Sequence, residues 1–298
     1  MNMRTVGADA AIRRSRIGEY MELTKPRVTS LVLITTLVGF YMGASGSIAN
    51  ILLFHAVVGV ALVAGGASAL NQYQERHQDA QMHRTRDRPL PEGRISETDA
   101  LVFSWVISVA GISYLAVFTN FTTGVLAACT LLFYVFLYTP LKSRTALATL
   151  IGAIPGAAPP ILGWTAAGGS VDSMAGALFA IVFLWQLPHF LAIAWLYDED
   201  YMRGGFRYLT IRNAGEGNAA RQIILYCCAL IPISLLPTSL GLTGTVYMFG
   251  ALVAGLVYLG YGLAVAFFRS PKAARRLLKA SILYLPAVFF LMVIDKAL

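Results

Sequence analysis

Val60-Ala-Leu-Val-Ala-Gly-Gly-Ala-Ser-Ala-Leu70 runs directly into Asn71-Gln-Tyr-Gln-Glu75-Arg-His-Gln-Asp79. An apolar stretch long enough to cross a bilayer ends in three oxygen-bearing side chains spaced i, i+4 and i+8. That spacing puts all three on one helical face. Carboxylates at the end of a membrane helix are functional by default, because burying them without a task is expensive. One acid there would read as a helix end meeting headgroups and water. Three aligned oxygen groups read as a divalent-cation site. The next stretch, Arg84-Thr-Arg86-Asp-Arg88-Pro89-Leu-Pro91, is strongly basic. Hard cation ligands beside guanidinium groups point to a substrate that carries phosphate.

Outward from this segment the chain has the same character. Of its 298 residues, 57% are hydrophobic and only 13% are charged, which excludes an ordinary soluble domain. Nine segments are apolar enough to span: 28–46, 51–71, 100–118, 121–139, 147–167, 173–195, 222–240, 246–268 and 279–296. Short alternating strands, the mark of a membrane barrel, are absent from the pattern. The expected fold is an all-α polytopic membrane protein with nine transmembrane helices. Residues 1–27 form an N-terminal tail and 28–298 a single domain.

The net charge of +8 does not indicate nucleic acid, because of where the charge falls. With nine spans, every Lys and Arg except Lys296 lies on one side of the membrane. The positive-inside rule then places the N-terminus in the cytoplasm and the C-terminus outside. The tail is Arg-rich, but Asp9, Glu19 and its short length argue against a mitochondrial transit peptide. It offers no small-residue cleavage site, so the first span reads as a retained helix. Cys129, Cys227 and Cys228 all fall within spans without metal spacing and read as small apolar residues.

The outside connections Gly43–Asn50, Thr119–Phe121, Gly168–Asp172 and Gly241–Thr245 are short. The inside connections after the second and sixth spans are long and hold most of the acids. Those two spans share a direction, which suggests a weak internal repeat. At the end of the sixth stands Tyr197-Asp198-Glu199-Asp200-Tyr201-Met-Arg203-Gly204-Gly205. Consecutive acids diverge around a helix, so at most two address one site. Alone they would be a solvated loop. Opposite Asn71, Glu75 and Asp79 they complete a two-sided clamp for Mg²⁺ and diphosphate.

Candidate diphosphate contacts are Lys25, Arg27, Arg84, Arg88, Lys142, Arg144 and Arg203, although topology alone would also put cations on this side. His189, in Leu187-Pro188-His189-Phe190, lies about 15 Å deeper than Glu199 along an ideal helix. It is a candidate for binding a metal or haem iron, or for a hydrogen bond between helices. The fifth span carries Gly152, Pro155, Gly156, Pro159, Pro160 and Gly163. It reads either as a broken helix lining a cavity or as a close-packing face.

Together these features resemble the membrane prenyltransferase superfamily that includes 4-hydroxybenzoate polyprenyltransferase. Within it, the chain is most similar to the protoheme IX farnesyltransferases, the haem O synthases. Four stretches carry that narrower resemblance: Leu23-Thr-Lys25-Pro26-Arg27-Val-Thr, Asn71 through Arg88-Pro89-Leu90, Gly156-Ala-Ala-Pro159-Pro160-Ile-Leu-Gly163-Trp164, and Pro188-His189-Phe190 through Asp200-Tyr201. The similarity runs from about residue 20 to 296. The chain departs from the superfamily at Glu75, where Asp is usual. It departs again at Leu196, which stands four before Asp200 and breaks an Asp-x-x-x-Asp second motif.

The resemblance implies a helical bundle around a central cavity open to the cytoplasmic side of a bacterial inner membrane. It implies Mg²⁺ held by Asn71, Glu75 and Asp79 with Glu199 and Asp200, farnesyl diphosphate as donor and haem B as acceptor. It further implies a product, haem O, that passes to haem A synthase. A quinone-type aromatic acceptor is the alternative within the superfamily. A cation-coupled transporter is the alternative of another class, although transporters place their charges at the bilayer midplane rather than at helix ends.

Overall fold

The computed structural model describes residues 15–46, 49–206 and 216–297. Arg4, Arg13, Arg14, Arg207 and Arg212, which contribute to the charge asymmetry, lie outside the described residues, as does the side chain of Glu216. Among the described residues the chain is helical, and the only β pairing is a single bridge between Thr243 and Lys296.

We number the helices α1 (Arg16–Leu23), α2 (Pro26–Gly43), α3 (Asn50–Gln81), α4 (Glu97–Phe118), α5 (Phe121–Leu141), α6 (Ala148–Ala157), α7 (Pro159–Ala166), α8 (Ser173–Leu196), α9 (Asp198–Arg203), α10 (Glu216–Ser239), α11 (Thr245–Phe268) and α12 (Pro271–Ile294). Starts are set by the expected chemistry. Ser96 caps α4 through the Asp99 amide, Asn120 caps α5, Asp172 caps α8 and Ser270 caps α12 ahead of Pro271.

Eight of these helices are long and apolar enough to cross a membrane: α2, α3, α4, α5, α8, α10, α11 and α12. The expected span at 147–167 is instead two shorter helices, α6 and α7, that meet at Ala158. The cause is local. Pro159 and Pro160 lack amide hydrogens, so the ladder of α6 cannot run on through them. Ala158 keeps helical angles, φ −70° and ψ −31°, so α7 continues α6 with an interrupted ladder.

Large apolar side chains such as Val106, Leu225, Val253, Leu256 and Phe290 face outward. That is the expected pattern where the surrounding solvent is hydrocarbon. Inside, the largest core gathers α8, α10, α11 and α12 around Leu178, Ile181, Tyr247, Tyr258 and Phe289. A smaller one joins α3, α4 and α5 around Val60, Leu70, Leu115 and Leu131. Between them α2 and α7 cross at backbone contact. A Cβ on Gly39 would sit 2.0 Å from the Pro160 carbonyl oxygen, and one on Gly163 would sit 2.0 Å from that of Thr36. Small residues make such a crossing possible in a medium that gives no hydrophobic drive for it.

Two elements position the polar residues. Helix α3 is 32 residues long, about 48 Å at 1.5 Å per residue, against about 30 Å of hydrocarbon. Its last turns carry Asn71, Glu75 and Asp79 on one continuous helix past the apolar run. Near its end, α5 contains a π-helical turn, Phe133–Tyr138.

Candidate active site

The α1–α2 turn brings the first cation in. Lys25 adopts φ +48°, a left-handed conformation uncommon for a side chain with a Cβ. Gln72 holds the turn from α3, its Nε2 donating to the Leu23 and Glu22 carbonyls at 2.9 and 3.2 Å. Lys25 Nζ then reaches Asn71 Oδ1 at 3.1 Å. Burial, then the charge of Arg88, push the Lys25 ammonium down to about 7.

One turn further along α3, Glu75 Oε1 pairs with Lys142 Nζ at 2.8 Å. The same ammonium lies 4.6 Å from the centre of the Tyr138 ring. A further turn on, Asp79 Oδ2 accepts from Arg88 at 2.5 Å. The loop that delivers Arg88 is tied to the helix end, since Thr85 Oγ1 donates to the Asp79 carbonyl at 3.0 Å. Arg94 anchors the loop's far end to α1 through Glu19 and Glu22. Arg84 lies 5.2 Å from the ring of Tyr197 and 5.7 Å from that of Tyr201.

These groups border one cavity of about 260 Å³. Lys25, Asn71, Glu75, Asp79, Arg84, Arg88 and Lys142 line its polar end. Val28, Met82, Tyr134, Tyr138, Phe190, Ile193, Tyr201 and Phe206 complete the wall. Three oxygen-bearing side chains from α3 thus share a cavity with four cations from three other segments, over an aromatic and aliphatic floor.

The other expected site residues are elsewhere. Arg27, Arg144, His189, Glu199, Asp200 and Arg203 do not border this cavity. Glu199 is 75% exposed and faces Arg203 at 3.6 Å. Asp200 also faces Arg203 and accepts from the His83 amide at 3.3 Å, which fastens α9 to the loop after α3. His189 Nδ1 lies 2.7 Å from Ser281 Oγ on α12, and the ring stacks on Trp185.

The wall residues that sequence reasoning missed are mainly Tyr134 and Tyr138. Their signal was present. Two tyrosines four apart at the end of a span, just before Lys142, share one helical face. The π turn, a feature common at functional sites, carries both.

The site can be tested for Mg²⁺ from its own donors. Asp79 is 1% exposed, and its Oδ1 has no hydrogen-bond partner among the described residues. A buried unpartnered carboxylate oxygen beside a carboxylate and an amide oxygen suits a small hard cation. No group of three His, Cys, Asp or Glu side chains assembles among the described residues. Mg²⁺ does not need one, because it is commonly bound by one or two carboxylates together with substrate phosphate oxygens.

An all-helical membrane bundle with carboxylates and cations gathered over an apolar floor is the architecture of an intramembrane enzyme for anionic, lipid-tailed substrates. The chain belongs to the UbiA prenyltransferase family, whose profile matches residues 32–292. It is 45% identical over 287 residues to a protoheme IX farnesyltransferase of Solibacter usitatus, covering 93% of this chain and 98% of that one. It is 39% identical over 280 residues to a protein of the same name from Aquifex aeolicus, covering 94% and 95%.

Among solved structures it resembles a digeranylgeranylglyceryl phosphate synthase, with TM-score 0.79 and 16% identity over 94% of this chain and 98% of that one. It also resembles a UbiA homologue of Archaeoglobus fulgidus bound to GPP and Mg²⁺, with TM-score 0.64 and 15% identity over 92% and 99%. At such identities the likeness concerns the fold.

Proposed function

We propose that the chain transfers the farnesyl group of farnesyl diphosphate to a vinyl group of haem B, giving haem O. The observation that carries the donor half is the Asp79 carboxylate. It is buried, keeps one oxygen unpartnered, and stands in a cavity ringed by Lys25, Arg84, Arg88 and Lys142. Only a ligand that brings both a cation and an anion completes that arrangement. The acceptor half is supported by the relatives named protoheme IX farnesyltransferase.

Each group then has a task. Asn71, Glu75 and Asp79 would hold Mg²⁺, which supplies charge neutralisation for the diphosphate. Arg88 and Lys142 now neutralise Asp79 and Glu75, Lys25 donates to the Asn71 amide oxygen, and all three would turn toward phosphate oxygens as these arrive. When the allylic C–O bond breaks, its electron pair leaves with the diphosphate. The cations, already seated on the phosphate by then, meet that charge without further reorganisation.

The allylic cation is left against Tyr134, Tyr138 and Phe190, whose ring faces attract positive charge. The vinyl π electrons of haem B form the new C–C bond. Water adds to the remaining carbocation and loses a proton, giving the hydroxyl of haem O. Walls of Val28, Ile193 and Phe206 keep other water from the cation until then.

Orientation follows from charge. The polar end of the cavity is lined by residues of the Lys- and Arg-rich connections, the side that the positive-inside rule would assign to the cytoplasm of a bacterial inner membrane. In this arrangement α6 and α7 together make a ninth crossing, and the C-terminus lies outside. The product would be available to haem A synthase.

The test is to incubate purified protein with farnesyl diphosphate and either haem B or 4-hydroxybenzoate, with and without Mg²⁺. Mass spectrometry should find haem O only with haem B and Mg²⁺. Prenylated 4-hydroxybenzoate with no haem O would sink the acceptor assignment.

A further inference from the structure

Helices α11 and α12 enclose a second hollow of about 490 Å³, and none of its lining residues borders the first cavity. Its floor is Tyr258 and Tyr284, 1% and 4% exposed, stacked with ring centroids 5.2 Å apart. Both hydroxyls are engaged by protein. Tyr258 donates to the Trp185 carbonyl at 3.4 Å, and Tyr284 pairs with Ser234 Oγ at 2.7 Å. Neither ring leaves a polar group for a ligand, so the floor is apolar and the exposed lining includes Val257 and Leu283.

The walls are cut back to Ala254, Ala280 and Ala287, with Val257 and Leu283 exposed along the rims. At one end stand Arg276 and Lys279, three apart on the same face of α12 and both exposed. Neither has an ion-pair partner among the described residues.

The hollow is therefore a groove with two cations at its mouth and an apolar channel below. From Arg276 to Ala287 it descends about 16 Å at 1.5 Å per residue. One leaflet of hydrocarbon is about 15 Å deep, half of the usual core. Arg276 and Lys279 lie in the early turns of α12 and Tyr261 in the late turns of α11, so the cationic mouth is at a membrane surface.

We propose that this groove holds one anionic phospholipid. Its phosphate bridges Arg276 and Lys279, and one acyl chain lies along Val257, Leu283 and the alanine walls, above the buried floor of Tyr258 and Tyr284. The ligand is matched at both ends, in charge at the mouth and in length along the channel. It would also brace α12. That helix holds Trp185 and His189 of α8 through Ser281, and α8 in turn contributes Phe190 and Ile193 to the first cavity.

The experiment is native mass spectrometry of the full chain in detergent, titrated with phosphatidylglycerol or with phosphatidylcholine of the same acyl chains. The wild-type chain should retain phosphatidylglycerol preferentially. The double variant Arg276→Gln/Lys279→Gln should bind it about 30-fold more weakly, at about 1 kcal/mol for each surface cation. Ala287→Phe keeps both cations and blocks the inner end of the channel, so it should also lower retention. All three positions are exposed, and unchanged helix content by circular dichroism confirms that the variants fold.

Equal retention of the two lipids, or wild-type affinity in the double variant, would overturn the proposal. So would displacement of phosphatidylglycerol by farnesyl diphosphate together with loss of farnesyl diphosphate binding in the double variant. That result would assign the groove to the prenyl donor.

Discussion

The ends of α3 and α8 are alike in sequence and unlike in structure. Both close an apolar span with acids, and both lead into a basic loop. At the end of α3, Asn71, Glu75 and Asp79 are almost fully buried, and each faces a cation delivered by another segment. At the end of α8 the chain turns at Tyr197, and a new short helix, α9, carries Glu199 outward while Asp200 stays only 15% exposed. There Glu199 and Asp200 pair with Arg203 of their own helix, and Asp200 also accepts from the His83 amide. The lesson concerns what makes an acid functional. Acids held by their own neighbours are already satisfied, and exposed pairs of that kind contribute little. Acids buried against cations from outside their own helix are held ready for something else.

Removing the metal should have the largest effect. If the α3 carboxylates bind Mg²⁺, a chelator should reduce haem O formation to background, and added Mg²⁺ should restore it. Full turnover in a chelator would remove the metal from the first cluster and leave its cations as the only diphosphate contacts. Asp79→Asn comes next. It keeps the side-chain volume and removes the charge, so kcat should fall about 10²- to 10³-fold, the usual loss of one preorganised electrostatic group. Helix content by circular dichroism should not change. A fall of less than threefold would mean that the buried acid serves packing.

Lys142→Met should act more mildly. The methionine keeps the apolar stem over Tyr138 and deletes the ammonium. One cation of several is lost from the diphosphate, so KM for farnesyl diphosphate should rise about 10-fold, with a smaller change in kcat. The same substitution at Arg203, beside the other acids, should change KM by less than about twofold. Equal effects at the two positions would erase the distinction between the two helix ends.

Much of this is legible in the sequence, for identifiable reasons. The spacing Asn71, Glu75, Asp79 is a local property of one helix, and α3 keeps it intact through Gln81. The prolines at 159 and 160 announce the break between α6 and α7, because a missing amide hydrogen acts wherever it occurs. The partners of the α3 acids are less legible. In sequence, Lys25 and Lys142 look no better placed than Arg27 and Arg144. What separates them is a left-handed turn at Lys25 and the path of the loop after α5, which are tertiary facts. The four-residue spacing of Tyr134 and Tyr138 is legible, but the π turn that carries both shifts the register of α5, and helical periodicity does not anticipate which neighbours they then meet. His189 is a candidate ligand by depth alone, and depth does not say which neighbour a side chain faces.

The smallest expected effect is the sharpest test of the comparison. Glu199→Gln removes a carboxylate that is 75% exposed and whose partner, Arg203, stays exposed to water at 44%. No charge is left buried, so stability should change by no more than about 0.5 kcal/mol. If the α3 acids alone bind the cation, the Mg²⁺ concentration for half-maximal activity should stay within about twofold of wild type. A two-sided clamp predicts otherwise. In that case α9 swings inward when substrate arrives, Glu199 exchanges Arg203 for Mg²⁺, and the variant needs at least tenfold more Mg²⁺. Asp200 makes that swing costly, because moving α9 breaks its bond to the His83 amide. A Mg²⁺ titration of Glu199→Gln therefore distinguishes a site complete on α3 from one that closes from both helices.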